Sequence, residues 1–234
     1  MKKIFTGLTT VAVLTLSVTA GVFAAPPDHA RGGGNGGGNG GGDDEPPVTE
    51  IIKSVCIDAG HGGTNIGTAH DEILEKNLNL DVAKALDTKL DTLGYEGTYM
   101  TRLDDSTKSN NDRYTYCNDL TDATLLVSVH HNGSSDDSVD YSLGLYQQNQ
   151  SRDAATIIGQ AVADEFNLGD KFSIDRFPSG VLIKSDMPSM MSEGYFLTND
   201  SRVEDLKIGY NTMVDREADA LVRGIEAYYS SLNN

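Results

Sequence analysis

The chain has 234 residues and a formal net charge of −17, from 35 acidic and 18 basic side chains. Nucleic acids and anionic membrane surfaces repel such a chain, so both are excluded as partners held by bulk charge. The acidity itself is read as a solubility property or an adaptation to salt.

At the amino end, Lys2 and Lys3 precede an apolar run from about Val11 to Phe23, with small residues around Ala24. This is the layout of a secretory signal peptide over residues 1–24, cut after Ala24. It predicts an exported protein, periplasmic or extracellular at the cell wall, with no membrane insertion after cleavage. Cleavage removes two lysines and no acid, leaving 16 basic and 35 acidic residues and a charge of −19. Residues 25–50 follow as a linker, in which 32–42 are all glycine except Asn35 and Asn39, before Asp43-Asp44-Glu45-Pro46-Pro47. Glycine carries maximal backbone entropy and brings nothing to bury, which predicts a flexible tether.

From residue 51 to 234 the composition is that of one domain, long enough for one substantial core. Val55-Cys56-Ile57-Asp58-Ala59 reads as a buried strand that breaks into Gly60-His61-Gly62-Gly63. Leu78, Val82, Leu86 and Leu90 then recur every fourth residue, a helix that Glu75 opens. Ser109-Asn110-Asn111-Asp112 reads as the capped start of a further helix. Thr124 to Val129 is a second strand, ending in His130-His131-Asn132-Gly133. Two more helical periods follow, Ala154-Ile158-Val162-Phe166 and Val214-Ala218-Leu221-Ile225-Tyr228. Strands alternating with helices predict a single α/β domain, a twisted and mostly parallel sheet with helices on both faces.

In a parallel sheet the carboxyl ends of strands share one edge, so His61, His130 and the helix-opening Glu75 converge there. Two imidazoles and one carboxylate make a catalytic zinc set, with a fourth position left for water. Each residue taken alone has a plainer reading, as a structural histidine or as an acid at a helix N-terminus. His70 and Glu72 lie close to Glu75 in sequence and are read as loop residues. His131 should point away from His130 if the strand stays extended, because neighbouring strand residues face opposite sides. For Arg113 a structural ion pair and a substrate contact stand as equal readings. Cys56 and Cys117 allow one bridge or two buried thiols, and export permits the bridge.

These residues resemble the zinc-dependent N-acetylmuramoyl-L-alanine amidases of the type 3 amidase family, over about residues 51–229. The matching motifs, in order, are Asp58 to Gly63, Glu75-Lys76-Asn77-Leu78-Asn79-Leu80, Thr101-Arg102-Leu103-Asp104-Asp105 with Arg113 to Asn118, Ser128 to Asn132, and Pro188 to Asn199. The resemblance implies zinc ligands at His61, Glu75 and His130 and a catalytic glutamate at Glu193. It also implies a peptidoglycan substrate, cut at the amide between the lactyl group of N-acetylmuramic acid and L-alanine. The chain is expected to act as a monomer. Two positions depart from the family pattern. His131 stands where a small residue is usual, and Gly194-Tyr195 replaces a glycine placed directly before Phe196. The short segment between His130 and Ser151 predicts an open groove, without a covering helix. A zinc carboxypeptidase, with Arg102 or Arg113 as its carboxylate anchor, and a silent peptidoglycan-binding module are the rival readings.

Overall fold

A computed structural model describes residues 51–233, so the expected leader and linker lie outside the described residues. The elements run β1 (Ser54–Ala59), β2 (Ala69–His70), β3 (Ile73–Leu74), α1 (Glu75–Thr92), β4 (Gly97–Met100), α2 (Asn110–Asn118), β5 (Leu125–Asn132), β6 (Ser142–Tyr146), α3 (Arg152–Glu165), β7 (Phe172–Arg176), α4 (Gly180–Lys184), β8 (Ser189–Phe196) and α5 (Asp200–Ser231). Six strands form one sheet in the order β4-β1-β5-β8-β6-β7, and β2 and β3 make a separate small hairpin. Every pairing in the large sheet is parallel except β6 with β8. None of the described helices is long and apolar enough to cross a membrane.

Alternation along β1 and β5 divides the interior into two layers. Val55, Ile57 and Ala59 join Leu125, Val127 and Val129 in the larger core, with Leu78, Val82 and Leu86 of α1 and Ile158 and Leu221 of α3 and α5. Cys56 and Leu126, one residue out of phase, face the other way into a smaller core with Cys117 of α2, Val181 of α4 and Met187. Both faces of the central strands are therefore covered, which is why they read as continuous apolar runs. Cys56 and Cys117 are joined by a disulfide, Cα–Cα 5.8 Å, so the bridged reading holds.

The start of α2 carries the expected cap. Ser109 Oγ accepts from Asp112 N at 3.1 Å, and Asp112 Oδ2 accepts from Ser109 N at 2.9 Å. The last helix is longer than its apolar period indicates, running from Asp200 with non-helical torsions at Gly209. No α-helix lies between β5 and α3, only β6, loops and a single 3-10 turn.

Candidate active site

The site lies at the carboxyl ends of β1, β5 and β8. His61 follows β1 with φ 59°, a left-handed conformation that costs a non-glycine residue and accumulates where function holds it. Its carbonyl is gripped by Arg113 Nη2 at 2.5 Å. Arg113 Nη1 also donates to Asp58 Oδ1 and to Ala59 O, both at 2.7 Å. Asp58 is completed by hydroxyl donors, Thr101 Oγ1 at 2.6 Å and Ser128 Oγ at 2.7 Å. Burial opposes its charge, but Arg113 and the two hydroxyls outweigh burial and hold the carboxyl below its usual range. Arg102 spends its guanidinium on the carbonyls of Ala59, Gly60, Lys76 and Asp104. Both arginines are buried and committed to the scaffold, so the ion-pair reading of Arg113 is the one the structure carries.

Glu75 is the first residue of α1 and is buried. Its Oε1 stands 3.0 Å from His61 Nε2 and 3.1 Å from His130 Nδ1, and Oε2 accepts from Thr68 N at 2.7 Å. One ligand atom from each of the three residues falls within 4.8 Å of the other two. His61 Nδ1 lies 2.9 Å from Asn65 Oδ1, which only accepts there, so the ring proton sits on Nδ1 and Nε2 is left as a donor atom for a metal. Burial works against charge on Glu75, but His130 and His61 more than reverse it, and its carboxyl sits far below the usual range. Burial likewise opposes protonation of His61, and Glu75 outweighs it to raise that pKa. Gly60 has to be glycine, because a Cβ there would collide with the His130 ring. His70 pairs with Ile73 across the β2–β3 hairpin, with Glu72 in its turn, and neither joins the cluster.

Glu193 pairs in register with His130 across β5 and β8. Among the described residues its Oε2 is buried without a hydrogen-bond partner, and burial raises its pKa. With His61 and His130 it lines a cavity of about 310 Å³, walled further by Lys108, Asn110 and Phe177. The register between the strands slips after this pair, so that Asn132 faces Phe196. Two residues on β8, Gly194 and Tyr195, thus stand opposite one on β5, His131, which is a bulge. It leaves Glu193 on the cavity side and sends Tyr195 to the far side, against the His131 ring at 4.6 Å. That bulge is how the sequence departure is accommodated.

His131 does face away from the cluster, into the larger core. Its Nδ1 meets Asn79 Oδ1 and its Nε2 meets Glu217 Oε2, each at 2.8 Å. Asn79 lies inside the Glu75 to Leu80 motif but was given no role there, and Glu217 falls in none of the motifs. A signal existed for both, since Asn79 lies one turn after Glu75 and Glu217 falls on the apolar stripe of Val214, Ala218 and Leu221.

Two imidazoles and a buried carboxylate at the carboxyl edge of a parallel sheet, with a second carboxylate aimed at the same cavity, define a hydrolase-type site able to hold a divalent metal ion. The chain belongs to the N-acetylmuramoyl-L-alanine amidase family, whose model matches residues 55–227. Two relatives are from Bacillus subtilis (strain 168). Uncharacterized protein YqiI is 31% identical over 180 residues, covering 76% of this chain and 85% of that protein. N-acetylmuramoyl-L-alanine amidase LytC is 31% identical over 182 residues, covering 76% of this chain and 36% of that longer protein. Among solved structures, an N-acetylmuramoyl-L-alanine amidase from Clostridium difficile 630 superposes with a TM-score of 0.70 at 29% identity, over 78% of this chain and 99% of its own. The catalytic domain of CwlV from Bacillus (Paenibacillus) polymyxa var. colistinus gives 0.70 at 26% identity, over 76% and 99%.

Proposed function

We propose that the protein is an exported, monomeric, zinc-dependent amidase that cuts peptidoglycan between the lactyl carbonyl of N-acetylmuramic acid and the nitrogen of L-alanine. The observation that carries this reading is Glu193, which lines the cavity shared with His61 and His130 and whose buried Oε2 has no hydrogen-bond partner among the described residues. His61, Glu75 and His130 would hold the ion. Their mixed nitrogen and oxygen donors suit zinc, and the 3.0 and 3.1 Å separations are near the ~3.3 Å that ligands at about 2.0 Å from a tetrahedral ion keep from one another. When bound, zinc supplies Lewis acidity, polarising the amide carbonyl and making water nucleophilic near neutral pH.

The chain's own residues do the rest. The Glu193 carboxylate takes the proton of the attacking water and returns it to the departing nitrogen, giving a lactyl carboxylic acid and a free L-alanine amine. Burial suits Glu193 to that exchange, because no neighbour among the described residues holds its buried Oε2 in the charged form by a hydrogen bond. The carboxypeptidase reading needs a cationic anchor beside the site, and Arg102 and Arg113 are already spent on Asp58 and backbone carbonyls. The test is digestion of purified peptidoglycan with mass analysis of the products. Stem peptides with free L-alanine amino termini are expected, with no new reducing ends. Release of single residues from the far end of the peptide would make it a carboxypeptidase, and binding without release would make it a binding module.

A further inference from the structure

Behind the metal cluster, on the opposite face of β5, lies a second polar group that takes no part in the proposed chemistry. His131, Glu217 and Asn79 are all buried within the apolar core between the sheet and helices α1 and α5. Their hydrogen bonds have a fixed direction. Asn79 Nδ2 lies 3.3 Å from Gly60 O and 3.2 Å from Glu75 Oε1, and both of these only accept. The Asn79 oxygen therefore faces His131, and His131 carries its proton on Nδ1. Its other nitrogen is then left to share a proton with Glu217 Oε2 at 2.8 Å. The line of bonds runs from Glu217 through His131 and Asn79 to Glu75 Oε1, the atom that also touches His61 and His130.

Both departures from the family pattern belong to this one unit. A Cβ at Gly194 would stand 2.9 Å from Glu217 Oε1, so the glycine makes room for the carboxylate. Tyr195, turned inward by the bulge, packs its ring edge-to-face on His131 and on Phe166. A histidine in place of a small residue, a glycine beside Glu193 and an acid on the apolar stripe of α5 thus form a single built arrangement.

We propose that His131 and Glu217 are positioning residues that lock the Asn79 amide with its nitrogen toward Glu75, and so set the affinity of the His61–Glu75–His130 cluster for its metal ion. This rests on the reading that those three residues hold zinc. Without the imidazole, Asn79 Oδ1 loses its donor, and the amide is left held only through its Nδ2 contacts to Gly60 O and Glu75 Oε1, free to shift away from the carboxylate it now supports. Outer partners of metal ligands typically change affinity by about 10–100-fold.

The experiment measures zinc affinity of the whole domain by competition with a chromophoric chelator, alongside thermal unfolding of the metal-free protein. His131→Leu with Glu217→Leu removes both charged groups together, so no lone buried charge remains, and a roughly tenfold or greater loss of affinity is expected. Asn79→Ala should lose about as much, and the triple variant no more than Asn79→Ala alone, because the pair acts through Asn79. Glu217→Gln keeps a partner for His131 Nε2 and should restore affinity to within about threefold of the parent. Should the leucine pair fail to fold, Glu217→Met gives the same comparison against Glu217→Gln. Parental affinity in a folded leucine pair, additive losses in the triple variant, or equal losses in Glu217→Gln and Glu217→Met would each overturn the inference. Parent protein that takes up no zinc would overturn the metal reading itself, an outcome distinct from these.

Discussion

Arg113→Met removes a guanidinium from the interior and leaves Asp58 behind as a buried charge. Asp58 then keeps only the hydroxyls of Thr101 and Ser128, while Ala59 O and His61 O lose a donor. Breaking a buried pair from one side costs roughly 3–5 kcal/mol, against a total stability of about 5–15 kcal/mol for an ordinary domain. At ~2–4 °C per kcal/mol for a domain of this size, the melting temperature should fall by about 6–20 °C. The assay is thermal unfolding of metal-free protein followed by far-ultraviolet circular dichroism. Adding Asp58→Asn should recover much of the loss, since neither charge then remains. The pH dependence has a definite sign. In the parent the Asp58 carboxyl is held below its unfolded value, so its contribution is present above about pH 4 and disappears as pH falls through the folded value. Without Arg113, burial raises that pKa, so the variant's deficit should be largest at neutral pH and shrink in acid. A melting temperature within about 3 °C of the parent at neutral pH, or a deficit that grows as the pH is lowered, would refute the reasoning.

Glu193→Gln should fold and retain zinc while turnover drops by about 10²–10⁴, the usual size of a general acid–base contribution; product release from peptidoglycan measures it. Glu75→Ala should lose stoichiometric zinc by metal analysis, whereas His70→Ala and Glu72→Ala should not, because both lie in the hairpin outside the cluster. Replacing Cys56 and Cys117 together by alanine opens a loop of 61 residues, which the chain-entropy relation values at ~4 kcal/mol; urea unfolding should show a lower midpoint.

Much of the architecture is legible in the sequence because it follows from local periodicity. The β1 and β5 runs, the four-residue period of α1 and the Ser109 cap each express a constraint that acts within a few residues. The convergence of His61, Glu75 and His130 was readable for a related reason, since the carboxyl ends of parallel strands share an edge by geometry. What the sequence could not decide depends on partners far apart along the chain. Whether Cys56 and Cys117 were joined turned on the Cα separation that packing α2 against β1 produced. Whether Arg113 met substrate or Asp58 turned on which side of β1 that helix lay. The first half of α5 lacks a clear apolar period, and its torsions break at Gly209. The Gly194-Tyr195 bulge, and the Glu217 carboxylate it admits, exist only where β8 slips against β5 and α5 closes over the sheet. A slip of register moves no residue along the sequence, yet it decides which face a side chain sees. The proposed metal ligands could therefore be named from sequence, while the group that holds them in place required the tertiary structure.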